Sequence, residues 1–259
     1  MRKLVMFIAI ISNSLFASQE ENFKEFIDIC ENKDQLSEAY QNTLDSMFFV
    51  HNTKDCGELY KSLESASKIN LSHHFIEDLT LLRYFPQVKN LNISGTNVSN
   101  LSFLENLPLL EVLHMYSTQI TSVEDTANCK NLVEIDIFDT QVTDVSVFGE
   151  LKKLRKVDIS STKVEDIGFV KNSDIEILYL SGCPVSDFAP LQGGKKLKRI
   201  DVYDTSFQQM HMIKKWPHLE NLWVGGEDSP IDKKLQKELR SKKFRRKFNA
   251  PFSFLIPLL

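Results

Sequence analysis

Apolar residues recur along residues 67–226 with the same spacing in each segment of 21 or 22 residues. One segment reads Leu110-x-x-Leu113-x-Met115-x-x-Thr118-x-Ile120-x-x-Val123, where x is any residue. The polar residue that ends the first half of a segment recurs at steps of 22, 22, 22, 21 and 22 residues, at Thr96, Thr118, Thr140, Thr162, Cys183 and Thr205. This period predicts about seven to eight stacked copies of one structural unit.

Each unit has two halves with different periods. In the first half, apolar and polar residues alternate, which predicts a short β-strand with one buried face. In the second half, as in Val98-Ser-Asn-Leu101-Ser-Phe-Leu104-Glu-Asn-Leu107, apolar residues recur every three positions. That spacing favours a 3₁₀-like or irregular segment. Since one unit cannot bury its apolar side alone, we expect an α/β solenoid with a curved parallel sheet and an irregular or 3₁₀ convex side. The Thr or Cys after each strand is expected to satisfy backbone groups at the turn.

This pattern is typical of leucine-rich repeats, and it resembles the short-repeat bacterial internalins. The segment Val185-Ser-Asp-Phe188-Ala-Pro-Leu191 is the part most similar to the second half of an internalin repeat. The resemblance covers residues 67–226 and implies a leucine-rich-repeat solenoid. The chain differs from internalins in having Thr where they have Asn at the turn, and the resemblance is not extended to host adhesion.

Residues 18–66 are predicted to form a helical N-terminal cap for the solenoid. Phe23, Phe26, Ile27 and Cys30 lie at helical spacing, and an uncovered solenoid would expose an apolar end. Cys30 and Cys56 flank a further helical-looking stretch that precedes the repeats, and we expect an exported protein to join them in a disulfide.

The other two cysteines, Cys129 and Cys183, lie several repeats apart. Neighbouring repeats stack about 4.8 Å apart, so this pair lies beyond the reach of a disulfide, about 7 Å between Cα atoms. We expect both to be buried free thiols that serve as small apolar residues.

The first 17 residues are predicted to be a secretory signal peptide. Arg2 and Lys3 precede an apolar run from Leu4 to Ile11, and Ala17 is a small residue suited to a cleavage site. The alternative, a buried N-terminal helix, would place two cations before an uninterrupted apolar block. We therefore expect cleavage near Ala17 and a protein that is secreted, periplasmic or attached to the cell envelope.

The charge of the chain is unevenly distributed. The 259 residues carry a net charge of −4, of which residues 1–17 contribute +2 and residues 227–259 contribute +5. Residues 18–226 therefore carry −11, which argues against a nucleic-acid partner. The cationic run Lys233–Lys247 and the apolar C-terminal residues either cap the last repeat as a basic helix and tail or contact an anionic membrane surface. A third interpretation is that this tail binds the acidic concave face of its own or a neighbouring chain.

Catalytic signatures are absent from the sequence. It contains no nucleophile elbow, zinc-protease helix, phosphate-binding loop or dinucleotide fingerprint. Adjacent residues on a strand point to opposite faces, so His73 and His74 do not form a ready-made metal site. We expect no enzymatic activity, no metal ion and no cofactor; the enzymatic alternative would depend on one carboxylate, Asp136 or Asp158.

The candidate binding residues lie on the concave face of the expected sheet. The residue between the two buried positions of each strand, such as His114 between Leu113 and Met115, and the residue two positions later should project from this face. Exposed aromatic residues are typical interface anchors, and aspartates among them favour a basic partner. The expected ligand-binding residues are His114, Tyr116, Asp136, Phe138, Asp139, Asp158, Tyr179, Asp201, Tyr203, Asp204 and Trp223. The sequence thus predicts an exported protein-binding module, and a carbohydrate-binding protein is the alternative for the same face.

Overall fold

The computed structural model describes residues 19–225. The predicted signal peptide, residues 1–17, lies outside the described residues. The predicted basic helix and apolar tail, residues 227–259, also lie outside them.

Within residues 19–225, three α-helices and one short 3₁₀ helix, Lys33–Gln35, precede the repeats. Helix α1 occupies residues 19–31, α2 spans Glu38–His51 and α3 spans Cys56–Glu64. The first turn of α3 is capped by Asp55, whose side chain accepts the Glu58 N–H at 2.8 Å. A disulfide joins Cys30 in α1 to Cys56 at the start of α3, which confirms the predicted pairing.

The helices cover the first repeat through an aromatic cluster. The Phe26 ring on α1 lies 5.3 Å from the Tyr60 ring on α3, measured between ring centroids. It also lies 5.7 Å from Tyr84 and 5.5 Å from Phe85, which belong to the convex side of the first repeat. Edge-on contacts of this kind stabilise aromatic cores beyond the area they bury. The apolar end of the solenoid is therefore closed by α1 and α3.

In the described part of the chain, eight short strands form one parallel sheet in chain order. Their bounds are β1 Lys68–Asn70, β2 Asn90–Asn92, β3 Val112–His114, β4 Glu134–Asp136, β5 Lys156–Asp158, β6 Ile177–Tyr179, β7 Arg199–Asp201 and β8 Asn221–Trp223. The register never slips, so the central residue of each strand pairs with the central residue of the next, as Leu113 does with Ile135. These central residues are buried in all eight strands, as the alternating pattern predicted.

The convex side consists of 3₁₀ segments, as the three-residue spacing predicted. They span Thr80–Tyr84, Ser102–Asn106, Glu124–Asn128, Ser146–Glu150, Gly168–Asn172, Ala189–Gly193 and Met210–Lys215. The core between sheet and convex side is filled by leucine, isoleucine, valine and phenylalanine from every repeat. The result is a leucine-rich-repeat solenoid with a helical N-terminal cap.

A buried threonine closes the turn after most strands. The Thr118 hydroxyl donates to the Met115 carbonyl oxygen at 2.7 Å, and Thr140 donates to Ile137 at 2.8 Å. Thr96, Thr162 and Thr205 make the same bond in their repeats. The expected role of this residue in satisfying backbone groups is confirmed.

The two remaining cysteines are free and buried, as expected. Cys183 occupies the threonine position, and its sulfur lies 2.9 Å from the Ile159 carbonyl oxygen. Burial raises the pKa of the Cys129 thiol to about 12, so this thiol stays protonated and unreactive at neutral pH.

Candidate binding surface on the concave face

The parallel register gathers the sequence-predicted residues onto one surface, the solvent-facing side of the sheet, which we call the concave face. The third residues of the strands form one row: Asn70, Asn92, His114, Asp136, Asp158, Tyr179, Asp201 and Trp223. A second row, two residues further along, contains Tyr116, Phe138 and Tyr203. Every predicted binding residue therefore lies on or directly beside the concave face.

The second row is not exposed throughout, contrary to the expectation that all its side chains project outward. Ser94 is fully buried and Ser160 is 6% exposed. Ser72 and Ser181 are half-buried, as are Tyr116 and Tyr203. Phe138 is the one exposed side chain among the described residues of the second row.

The three aspartates of the first row have a structural role that the sequence did not reveal. In each case one carboxylate oxygen accepts the backbone N–H two residues later: Asp136 from Phe138 at 3.0 Å, Asp158 from Ser160 at 2.9 Å and Asp201 from Tyr203 at 2.8 Å. This local bond stabilises the turn that leaves the strand.

Asparagine makes the same bond in the first two repeats. Asn70 accepts from Ser72 at 3.1 Å and Asn92 accepts from Ser94 at 3.0 Å. The turn therefore needs only a side-chain oxygen, and a carboxylate adds a negative charge that the turn does not require. The charge itself calls for another explanation.

Holding these carboxylates on the sheet has an energetic cost. Burial raises the pKa of Asp136 and of Asp158. Burial, reinforced by repulsion from Asp158, raises the pKa of Asp201 to about 6. A shift in this direction means that the folded protein disfavours the charged form. Within residues 19–225, neither Asp158 nor Asp201 has a cationic side chain within ion-pair distance.

The centre of the face carries an ion cluster that the sequence interpretation missed. One Glu134 carboxylate oxygen accepts a hydrogen bond from the Lys156 ammonium at 2.7 Å, and the same oxygen lies 2.9 Å from Nε2 of His114. Burial alone would raise the pKa of Glu134, but the bonds from Lys156 and His114 lower it. Glu134 and Lys156 are the first residues of adjacent strands, so their opposite charges at a 22-residue offset were the available signal. Lys156 of this cluster also opposes the rise in the pKa of Asp136 and Asp158, whereas no cation contributes to the pKa shift of Asp201 on β7.

Aromatic side chains are interleaved with the aspartates. Phe138 is 40% exposed. The Tyr179 and Trp223 rings meet edge to face on either side of Asp201, with centroids 6.2 Å apart. At the other end, the Tyr116 ring lies 6.2 Å from the ring of His73. The concave face thus combines apolar anchors with acceptors for a cation.

Asp139 and Asp204 lie at a special backbone position. Both have positive φ, 54° and 53°, at the point of the repeat where Gly95 and Gly182 occur in other units. Aspartate tolerates this left-handed conformation better than most residues with a β-carbon. Asp139 also accepts a hydrogen bond from the Ser117 hydroxyl at 2.9 Å. Backbone conformation therefore accounts in part for these two predicted binding residues.

Two strongly exposed phenylalanines were missed by the sequence interpretation. Phe49, near the end of α2, is 77% exposed, and Phe75, after β1, is 64% exposed. The Phe49 ring contacts the His74 ring at 5.6 Å. Phe49 lies off the buried stripe formed by Leu44 and Met47, and this offset was the signal that could have identified it.

The described part of the chain offers no metal site and no membrane span. Residues 19–225 contain no group of three or more His, Cys, Asp or Glu side chains arranged to hold a metal ion. No helix within the same residues has the length and apolar character needed to cross a bilayer.

Solved structures with a similar fold were found, whereas no protein-family model and no curated protein matches the sequence. An internalin from Listeria monocytogenes superposes with a TM-score of 0.62 at 17% identity, over 71% of this chain and 62% of its own. Internalin C2 of the same species superposes with a TM-score of 0.64 at 17% identity, over 81% of this chain and 91% of its own. A leucine-rich-repeat protein of Leptospira interrogans superposes with a TM-score of 0.62 at 20% identity, over 76% of this chain and 50% of its own.

The chain spans less than two thirds of the length of two of these structures, the first internalin and the Leptospira protein. At 17–20% identity the likeness concerns the fold. Together with the eight-stranded parallel sheet and the 3₁₀ convex side, it identifies the chain as a leucine-rich-repeat protein whose solenoid resembles those of the internalins.

Proposed function

We propose that the chain is an exported, non-enzymatic module that binds a protein partner on the concave face. The observation that carries this proposal is the choice of aspartate over asparagine at Asp136, Asp158 and Asp201. Asparagine at Asn70 and Asn92 makes the same turn without a buried charge. A charge that costs folding free energy and has no structural need is best explained by a ligand.

The chemistry of the face favours a partner segment rich in lysine or arginine. A cation placed near Asp158 and Asp201 would compensate two half-buried carboxylates. The Tyr179 and Trp223 rings beside them would add cation–π attraction and apolar contact area. The predicted binding residues Asp139 and Asp204, on the exposed edge, would contribute mainly to the rate of encounter.

Export is part of the proposal. It is supported by the predicted signal peptide and by the disulfide in the cap, since disulfides persist mainly in oxidising compartments outside the cytosol. The periplasm, the cell surface and the extracellular space all meet this condition.

The decisive experiment removes charge without removing the turn. The triple variant Asp136→Asn, Asp158→Asn, Asp201→Asn keeps an oxygen acceptor at every turn. Purified protein serves as bait for envelope and extracellular fractions of the source cells. We expect recovery of the bound partner to fall at least about tenfold in this variant.

A matched control exists on the convex side. Asp144, Asp166 and Asp187 accept the backbone N–H two residues later at 2.8, 2.6 and 2.8 Å, so their replacement by asparagine makes the same chemical change away from the sheet. Partner recovery should be unchanged in this control. Equal capture by all three baits, or capture of a glycan in place of a protein, would contradict the proposal.

A second candidate function is association with an anionic membrane surface. A convex-side cleft of about 820 Å³ is lined by Lys171, Lys195 and Lys215 with one carboxylate, Asp187. The cationic run Lys233–Lys247 follows in the sequence, outside the described residues. Sedimentation with vesicles containing about 30% phosphatidylglycerol tests this candidate, and replacing the three cleft lysines by glutamine should weaken binding relative to wild type.

A further inference from the structure

A cleft opens in the helical cap, away from the concave rows. Its volume is about 1010 Å³, and it lies between the end of α1, the end of α2 and the start of α3. The disulfide between Cys30 and Cys56 forms part of its wall, so two of the three bordering elements are covalently joined. A cavity with such a wall is preorganised, which lowers the entropy cost of binding.

Apolar side chains mark one rim of this cleft. Phe48 and Phe49 line it, and Phe49 is 77% exposed. The Phe49 ring also contacts the His74 ring, with centroids 5.6 Å apart. The core of α2 is already formed by Leu44 and Met47, so folding does not require an aromatic residue at position 49. Exposed apolar groups gathered in this way are characteristic of docking surfaces.

The polar lining of the cleft is acidic. It includes four carboxylates, Glu31, Asp34, Asp45 and Asp55, against two lysines. Asp45 is paired with Lys33 at 2.7 Å, and Asp55 caps α3. Glu31 and Asp34 are exposed and make no side-chain hydrogen bond or ion pair with any other described residue. Two carboxylates are thus free to meet a cation from outside.

We propose that this cleft, which we call the cap cleft, is a docking site for a partner segment carrying a large apolar side chain next to lysine or arginine. The apolar side chain contacts Phe48 and Phe49, and the cation meets Glu31 and Asp34. The inference does not rest on the concave-face proposal, because none of these residues lies on the sheet.

The test uses the full chain and a phage-displayed library of random dodecapeptides as the probe. Selected peptides are synthesised, and their affinity is measured by calorimetry. We expect enriched sequences to combine an aromatic or branched aliphatic residue with Lys or Arg. The Phe49→Ser variant should bind them about tenfold more weakly. The double variant Glu31→Gln, Asp34→Asn should lose about threefold and show a weaker dependence on salt.

Two controls separate the possible outcomes. Leu109→Ser removes an exposed apolar side chain that lies on neither surface and should leave peptide affinity within about twofold, while thermal melts of Phe49→Ser and Leu109→Ser exclude unfolding, because both side chains are exposed. Peptides that lose binding only in the concave-face variant Phe138→Ser would overturn the cap cleft and support the concave face. Failure to enrich any peptide, or a dimer of the free protein that dissociates in Phe49→Ser, would also overturn this inference.

Discussion

At the scale of single residues, the concave face shows how one position serves both the turn and the surface. Asn92 and Asp136 occupy equivalent positions and bond to the backbone N–H two residues later at the same distance, 3.0 Å. They differ in charge. The carboxylate therefore acts as a turn acceptor that also presents a negative potential to solvent, and its two roles can be separated by asparagine substitution.

Replacing Asp201 by asparagine is expected to stabilise the folded protein at neutral pH. Burial raises the pKa of Asp201 to about 6, above the unfolded value of about 3.9. The charged carboxylate of Asp201 therefore destabilises the folded state. The whole destabilisation is present above about pH 6, and none of it is present below about pH 4. At pH 7.5 the free energy of unfolding of Asp201→Asn should exceed that of wild type by about 1 kcal/mol, after allowance for the partial exposure of the carboxylate. This difference should disappear at pH 4.

Denaturant unfolding of wild type and Asp201→Asn at these two pH values provides the measurement. Asp144→Asn is the control, because backbone and side-chain bonds from Ser146 lower the pKa of that carboxyl. Its replacement should give no gain at pH 7.5. A variant Asp201→Asn that is less stable than wild type at pH 7.5 would refute the burial argument.

At the scale of the repeat, the turns after β2, β4, β5 and β7 combine three features. A side-chain oxygen at the strand end accepts a backbone N–H, a residue of positive φ reverses the chain, and a buried threonine binds a carbonyl oxygen. In the fourth repeat these are Asp136, Asp139 and Thr140. Because all three are local, each unit can form the same turn with different side chains on the exposed side.

The Gly95→Ala substitution should destabilise the protein more than the equivalent change at Gly182. Both glycines have positive φ, 68° and 69°, so both variants bear the cost of an alanine in the left-handed region, about 1 kcal/mol. A β-carbon at Gly95 would lie 2.4 Å from Nδ1 of His73, whereas at Gly182 its nearest neighbour is 3.6 Å away. Gly95→Ala must therefore displace His73 from its contact with Tyr116.

Thermal unfolding of the two glycine variants measures this difference. We expect an excess loss of about 1 kcal/mol in Gly95→Ala, because a close contact and a ring pair are disturbed together. Equal losses in both variants would show that His73 moves aside without cost.

At the scale of the whole molecule, the solenoid is quasi-one-dimensional, so its stability depends on how its ends are closed. The N-terminal end is covered by Phe26 and Tyr60, which contact Tyr84 and Phe85 of the first repeat. The disulfide between Cys30 and Cys56 holds the two helices that carry this aromatic cover.

Removing the disulfide by Cys30→Ser and Cys56→Ser should loosen the cap before the central repeats. The bridge closes a loop between residues 26 positions apart, which corresponds to about 3 kcal/mol of unfolding free energy. Hydrogen exchange should accelerate in β1 and β2 and remain slow in β4 and β5. Treatment of wild type with reductant should reproduce the effect, since the other cysteines are buried. Uniform acceleration along the sheet would instead indicate one cooperative unit.

The sequence by itself determined the solenoid, because every contact that defines it is between equivalent residues of adjacent repeats. The spacing of Leu113, Ile135 and Val157 placed the buried strand positions, and the interval between Thr118 and Thr140 placed the turns. The candidate residues of the concave face followed from the same alternation. The pairing of Cys30 with Cys56 followed from their position before the repeats.

Only the tertiary structure decided what the individual polar side chains contact. The cluster of His114, Glu134 and Lys156 depends on side-chain directions across three strands, which periodicity does not specify. The cap cleft depends on how three helices meet. The exposure of Phe49 follows from the packing of α2, in which Leu44 and Met47 are the buried apolar residues. Periodic patterns determine which face of an element is buried, whereas contacts between non-equivalent elements depend on their packing in three dimensions.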